Sequence, residues 1–213
     1  MAARDCCAAV ILAGGAGRRL GGVDKPGLAV AGRTLLDRAI DAVSDADPVI
    51  VVGPRRPTAR AVRWTREDPP GSGPVAGMAA GIAALPTENA PGEDMPELVA
   101  VLAADLIGLR ADTLDRLRAA VGPDVVGALL LDEEDHPQWL AGVWRLAALR
   151  AALPADPAGR SLRSVLAPLP VARLAARPGE SADIDTPDDL AGAEAATGGR
   201  PRRAADASRK SHW

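Results

Sequence analysis

Seven consecutive apolar residues, Leu98-Val99-Ala100-Val101-Leu102-Ala103-Ala104, stop at a carboxylate, Asp105. A run this short, bounded by a polar residue, reads as a strand buried on both faces, and such a strand belongs in a sheet covered by helices on either side. Cys7 to Ala13, Val49 to Gly53 and Val125 to Leu131 have the same character, as buried parallel strands. Between them the period changes: Thr34 to Val43 places Leu35, Leu36, Ala39, Ile40 and Val43 at near-helical spacing, and Val75 to Leu85 and Thr113 to Val121 do likewise. The alternation predicts an α/β domain with a mainly parallel central sheet and helices on both faces.

Beyond residue 131 the pattern is less regular. Gln138 to Trp144 reads as a strand, Arg145 to Ala152 and Ser161 to Leu166 as helices, and Val171 to Ala175 as a late strand. A last helix is expected to begin at Pro187, with Thr186 as its N-cap. From Gly198 onward Gly, Pro, Arg, Ser and Lys replace the periodic apolar residues, so one domain over 1–197 and a disordered tail over 198–213 are expected. With no Tyr or Phe and only four Trp, the core has to be aliphatic.

Charge and cysteine usage narrow the function classes. A formal net charge of -3 argues against a nucleic-acid binder. Cys6 and Cys7 are adjacent in an apparent strand, where successive side chains point to opposite faces, so a disulfide is not expected and a reducing, cytoplasmic compartment is. No apolar run approaches the roughly 20 residues that span a bilayer, and the start lacks a signal-peptide pattern, so no membrane association is expected.

The first strand-like run passes directly into Ala13-Gly14-Gly15-Ala16-Gly17-Arg18-Arg19-Leu20-Gly21-Gly22-Val23-Asp24-Lys25. Glycines let main-chain N–H groups turn inward and let an anion approach the backbone. Arg18, Arg19 and Lys25 add charge, the arginines as forked donors and the lysine as a point charge, an arrangement suited to a triphosphate. A tight strand-to-helix turn with solvated basic residues is the plainer reading. Neither standard nucleotide motif fits: Gly15-Ala16-Gly17-Arg18-Arg19-Leu20 lacks the third glycine of a dinucleotide fingerprint, and no Gly-Lys-Ser/Thr closes a Walker-type loop.

Leu12-Ala13-Gly14-Gly15, then Arg18 to Gly22, then Asp24-Lys25-Pro26 resembles the signature of the nucleotidyltransferases with a Rossmann-like fold. Gly73-Pro74-Val75-Ala76-Gly77-Met78 and Asp183-Ile184-Asp185-Thr186-Pro187 are similar to the second glycine motif and the late Asn/Asp-Thr-Pro motif of the molybdenum cofactor guanylyltransferases within that group. The resemblance runs over roughly residues 7 to 196. It implies transfer of GMP from GTP to the phosphate of molybdopterin or a molybdenum cofactor, with Mg2+, and molybdoenzymes or cofactor-insertion proteins as partners. It implies that Leu12, Ala13, Gly14, Gly15, Arg18, Lys25, Asp68, Gly73, Gly77 and Asp105 bind the nucleotide, that Lys25, Asp105 and Arg19 are catalytic, and that Asp105 and Asp185 hold the metal.

Several of these residues have a bland alternative. Asp105 lies at the C-terminal end of its strand, where open α/β sheets bind ligands, but an Asp there also caps the next segment. The family's metal aspartate is commonly followed by a small polar residue and an aromatic, whereas this chain has Leu106-Ile107-Gly108-Leu109. Asp183 and Asp185 stand where asparagines are frequent, and otherwise read as a turn and helix start. Glu67-Asp68, before Pro69-Pro70-Gly71, reads by itself as a solvated loop; the resemblance puts Asp68 against the guanine edge. His136 reads as a loop residue or substrate contact, and Trp139 and Trp144 as core anchors or a platform beside a flat pterin. Three other functions compete: a cytidylyl- or guanylyltransferase with a different phosphorylated acceptor, a non-catalytic nucleotide-binding cofactor chaperone, and a dehydrogenase-type Rossmann protein, which the incomplete fingerprint disfavours.

Overall fold

The computed structural model describes residues 7–14, 23–87, 95–184 and 186–198. The N-terminal half contributes β1 (Cys7–Leu12), a small hairpin of β2 (Ala29–Val30) and β3 (Arg33–Thr34), α1 (Leu35–Ala42), β4 (Val49–Val52), β5 (Arg63–Thr65) and α2 (Pro74–Ala83). The rest is β6 (Leu98–Ala103), α3 (Ala111–Ala120), β7 (Gly127–Leu131), β8 (Pro137–Arg145), α4 (Leu146–Ala152), α5 (Leu162–Leu166), β9 (Val171–Ala175) and α6 (Pro187–Gly198).

Seven strands form one sheet in the order β5-β4-β1-β6-β8-β7-β9. β5, β4, β1 and β6 are mutually parallel, β8 is antiparallel to both β6 and β7, and β9 runs parallel to β7. The expected mainly parallel sheet is present, with one reversed strand inside it. Period-two alternation sorts each strand's side chains between two cores. Ala9 and Ile11 of β1 and Ala100 and Leu102 of β6 face α1 and α3 through Leu36, Ile40 and Leu117. Val10 of β1 and Val99 and Val101 of β6 face α2, α4 and α5 through Met78, Ile82, Leu149 and Leu166. Helices therefore cover both faces, as the doubly apolar strands require.

Most boundaries fall within a residue or two of expectation. The run from Val125 is shorter than expected as a strand, because pairing to β9 begins at Gly127. Helix α3 starts at Ala111, two residues before the expected Thr113, whose hydroxyl accepts from the backbone N–H of Arg110. Thr186 caps α6 reciprocally: its hydroxyl accepts from the Asp189 N–H at 3.2 Å, and the Asp189 carboxylate accepts from the Thr186 N–H at 2.7 Å. Trp144 is fully buried and Trp139 packs half-buried at the edge of the same core. The β2–β3 hairpin was not expected; its turn residues Ala31 and Gly32 both have positive φ. Cys7 is buried, and its thiol donates to Ala8 O at 3.4 Å. Among the described residues no helix is long and apolar enough to cross a membrane. Cys6, Gly15, Arg18, Arg19, Asp185 and the expected tail beyond Gly198 lie outside the described residues.

A candidate nucleotide site at the C-terminal edge of the sheet

The chain leaves β1 on one side to build β4 and β5, and places β6 on the other side, so the connections diverge at the C-terminal ends of β1 and β6. In an open α/β sheet that divergence opens a crevice. Leu12 and Ala103, the last residues of the two strands, are register partners, and the Ala104 N–H donates to Leu12 O at 3.0 Å. Gly14 and Asp105 thus emerge side by side although 91 residues separate them in sequence.

The crevice is a cleft of about 550 Å³ with Leu12, Gly14, Val52, Glu67, Gly71, Gly73, Pro74, Gly77, Ala103, Asp105 and Leu140 on its walls. Sequence reasoning singled out five of these: Leu12, Gly14, Gly73, Gly77 and Asp105. Ala13 is wholly buried, so only its backbone is near the cleft. Among the described residues, a side chain at Gly14 would meet nothing within 4 Å. Leu140 comes from β8, which continues past the end of β6. Leu129 pairs with Gly142 but Leu130 pairs with Gln138, so the intervening residues bulge away from β7. A bulge of this kind re-aims side chains beside a site.

Lys25 begins a short 3-10 turn, Lys25–Gly27, and its Nζ donates to Asp105 Oδ2 at 2.6 Å. Their side chains are 14% and 28% exposed. No described residue donates to Asp105 Oδ1, so that oxygen can take a cation. Only two of the chain's 25 Lys and Arg residues are lysines, Lys25 and Lys210. In a composition so committed to arginine Lys25 stands out: its charge is a compact ammonium and not a planar fork.

The late motif reaches the same place. Leu106, next to Asp105, forms an isolated antiparallel bridge with Asp183, and the Ile107 N–H donates to Ala182 O at 3.0 Å. Two features seat that segment. Gly108 has no room for a side chain, since a Cβ would lie 1.9 Å from Gly179 O. Glu180 is buried and accepts from the Thr113 hydroxyl at 2.5 Å, the Arg177 N–H at 2.7 Å and Arg116 Nη1, at 2.9 Å to each oxygen. Burial alone would raise its pKa, but these donors outweigh it and hold the carboxyl below its ordinary value. Neither residue was singled out from sequence, because a buried acid 67 residues from its hydroxyl partner leaves no local pattern.

Gly108→Ala is accordingly expected to cost about 1–3 kcal/mol, an overpacking penalty that backbone cannot relieve cheaply. The check is a thermal melt against Gly122→Ala, whose new Cβ would meet nothing within 4 Å; equal melting temperatures would show that the 179–183 segment gives way freely.

Other expected residues lie less centrally. Asp68 is exposed, whereas its neighbour Glu67 is on the cleft wall and accepts from the Gly71 N–H at 2.9 Å. His136, on the β7–β8 hairpin, is 74% exposed with Nδ1 at 3.6 Å from Asp132 Oδ2. Asp132, Glu134 and His136 bring potential ligand atoms within 4.8 Å of one another. The Asp132 carboxylate already accepts from the Glu134 and His136 N–H groups and from Gln138 Nε2, so the cluster is a turn closed on itself.

Residues 9–175 match the family described as the MobA-like NTP transferase domain. A molybdenum cofactor guanylyltransferase of Acidiphilium cryptum (strain JF-5) is 49% identical over 79 residues, 35% of this chain and 40% of that protein. One of Bradyrhizobium sp. (strain ORS 278) is 32% identical over 140 residues, 63% of this chain and 64% of that protein. The chain thus spans less than two thirds of the length of these curated relatives. The crystal structure of molybdopterin-guanine dinucleotide biosynthesis protein A from Archaeoglobus fulgidus superposes with a TM-score of 0.64 at 20% identity, covering 89% of this chain and 98% of that one, a likeness of fold.

Proposed function

We propose, because the chain belongs to the MobA-like NTP transferase domain family, that it transfers GMP from GTP to the phosphate of a molybdopterin-type cofactor. A phosphate oxygen of the acceptor attacks the α-phosphorus, a new P–O bond forms, the α–β phosphoanhydride bond breaks, and pyrophosphate leaves. No covalent enzyme intermediate is needed, so the protein's contribution is positioning and charge. The single observation that carries this reading is the Lys25–Asp105 pair at the mouth of a glycine-walled cleft. A cation and a metal-binding carboxylate are thereby joined at the one sheet edge where an anionic nucleotide can meet bare backbone.

In this mechanism Lys25 exchanges Asp105 for the nucleotide's phosphates and neutralises charge that shifts during attack. Gly14 and Gly15 supply backbone, and Arg18 and Arg19 supply further positive charge. Asp105 and Asp185 are the carboxylates that would hold Mg2+, and hard oxygen donors of this type suit that ion. Held by those carboxylates, Mg2+ would supply positive charge to offset that of the triphosphate and of the leaving pyrophosphate. Leu12, Gly73 and Gly77 border the base and ribose. Leu140, on the wall of the same cleft, would border the acceptor.

A carboxylate suits the N1–H and exocyclic amine of guanine. Asp68 and Glu67 both belong to the loop concerned, and Glu67's place on the cleft wall favours it. The test is pyrophosphate release and product mass with each of the four NTPs, molybdopterin and Mg2+. GTP is expected to be strongly preferred, and equal turnover with CTP would overturn the specificity. Glu67→Gln should erode the GTP preference by about 10- to 100-fold, the worth of a charged hydrogen bond, with Asp68→Asn doing less. The reverse ranking would return the base contact to Asp68.

A further inference from the structure

Lys25 carries its charge on a flexible four-carbon stem, so its ammonium is only as well placed as the turn it springs from. That turn is tied down by a residue from another part of the chain. Asp24 opens it, yet the Asp24 carboxylate makes no capping bond to the turn's own backbone. It receives Arg56 instead: Nε donates to Oδ2 at 2.7 Å and to Oδ1 at 3.0 Å, and Nη2 donates to Oδ1 at 2.5 Å. Nη1 completes the fork by donating to Pro54 O at 2.8 Å, in the loop that follows β4. The arginine side chain is 12% exposed while that of Asp24 is 58% exposed. The guanidinium is bedded in the protein and the carboxylate rides on it.

The carboxylate also has a seat made for it. A Cβ at Gly27 would lie 2.8 Å from Asp24 Oδ2, so the carboxylate lies across its turn where a side chain there would make it shift. The Arg56 hydrogen bond holds the Asp24 carboxyl below its ordinary pKa, which keeps the pair charged. A forked guanidinium–carboxylate contact fixes orientation as well as distance, and a single ammonium would not.

We propose that Arg56 is a positioning residue for Lys25: by clamping Asp24 to the loop after β4, it fixes the turn from which the Lys25 ammonium reaches Asp105. Arg56 itself touches no reacting atom. The inference rests on the reading of Lys25 as the cation of the transfer site. A displacement of about 1 Å in such a group can cost on the order of 100-fold in rate, so the clamp has kinetic weight even though an ion pair at the surface adds little stability.

The experiment uses the full chain and the fact that it has two lysines, Lys25 and Lys210. Brief acetylation with an N-hydroxysuccinimide ester, read by mass spectrometry, reports Lys25 reactivity with Lys210 as internal reference. Arg56→Ala is expected to raise Lys25 labelling severalfold and to lower kcat by about 10- to 100-fold, with the KM for GTP changing much less. Millimolar guanidinium should restore part of both, and Arg56→Lys should restore little. Wild-type labelling and kcat in Arg56→Ala, or a loss of turnover with Lys25 labelling unchanged and no response to guanidinium, would overturn the proposal. Should Arg56→Ala fail to fold, Arg56→Lys carries the same two readouts: wild-type labelling and kcat there show that the fork is not required. Should the wild-type protein turn over no GTP, the transfer reading falls, while the labelling still decides whether Arg56 fixes Lys25.

Discussion

Lys25→Ala is expected to lower turnover by about 100- to 1,000-fold, the usual cost of removing one preorganised charge from a developing transition state. The loss should lie in kcat and not in the KM for GTP, because the cation's value grows as charge redistributes at the α-phosphorus. The pair in the resting protein adds a second, opposite expectation. Lys25 Nζ occupies Asp105 Oδ2, so the variant frees that oxygen, and its affinity for Mg2+ should rise or stay level while its rate collapses. Lys25→Arg retains the charge but brings a planar fork to a place that holds a point charge, and should recover only part of the rate. Pyrophosphate release at saturating GTP, alongside a Mg2+ titration of each variant, reads both. Near-wild-type kcat, or weakened metal binding with unchanged kcat, would remove Lys25 from the mechanism.

Asp105→Asn should fail in the complementary way. The amide keeps the size of the acid but not its charge, so the Mg2+ concentration needed for half-maximal turnover should rise about tenfold or more, and turnover at saturation should still fall about 100-fold. Folding should be little affected, since a partly exposed ion pair contributes only about 0–1 kcal/mol. Circular dichroism and a thermal melt check that, and a rate-versus-Mg2+ profile superimposable on the wild type would sink the site. Comparing the two variants separates a loss of metal from a loss of the cation, which neither does alone.

The parts of this molecule written in local patterns were readable in advance. The apolar run ending at Asp105 is β6, and Val171 to Ala175 is β9 residue for residue. Apolar period distinguishes a doubly buried strand from a helix, but it carries no sign for strand direction, so nothing in Gln138 to Trp144 announced that β8 runs backwards between two parallel neighbours. The β2 and β3 strands have two residues each, too few for any alternation. Lys25 and Asp105 were each legible as chemistry, one from the glycine-rich stretch and one from its strand end. Their contact was not, being a product of strand order. Glu180 and Arg56 act through partners distant in sequence, and a lone acid or arginine in a loop looks the same whether it is buried or solvated.

The bridge between Leu106 and Asp183 ties one side of the site to a segment that is synthesised late. On a nascent chain, strands β1 to β6 and helix α2 can gather the glycine-walled side of the cleft well before residue 183 has been synthesised. The segment that bridges to Leu106 has to wait for it. A ligand that touches both parts binds only the finished arrangement, and by mass action draws the last segment into place.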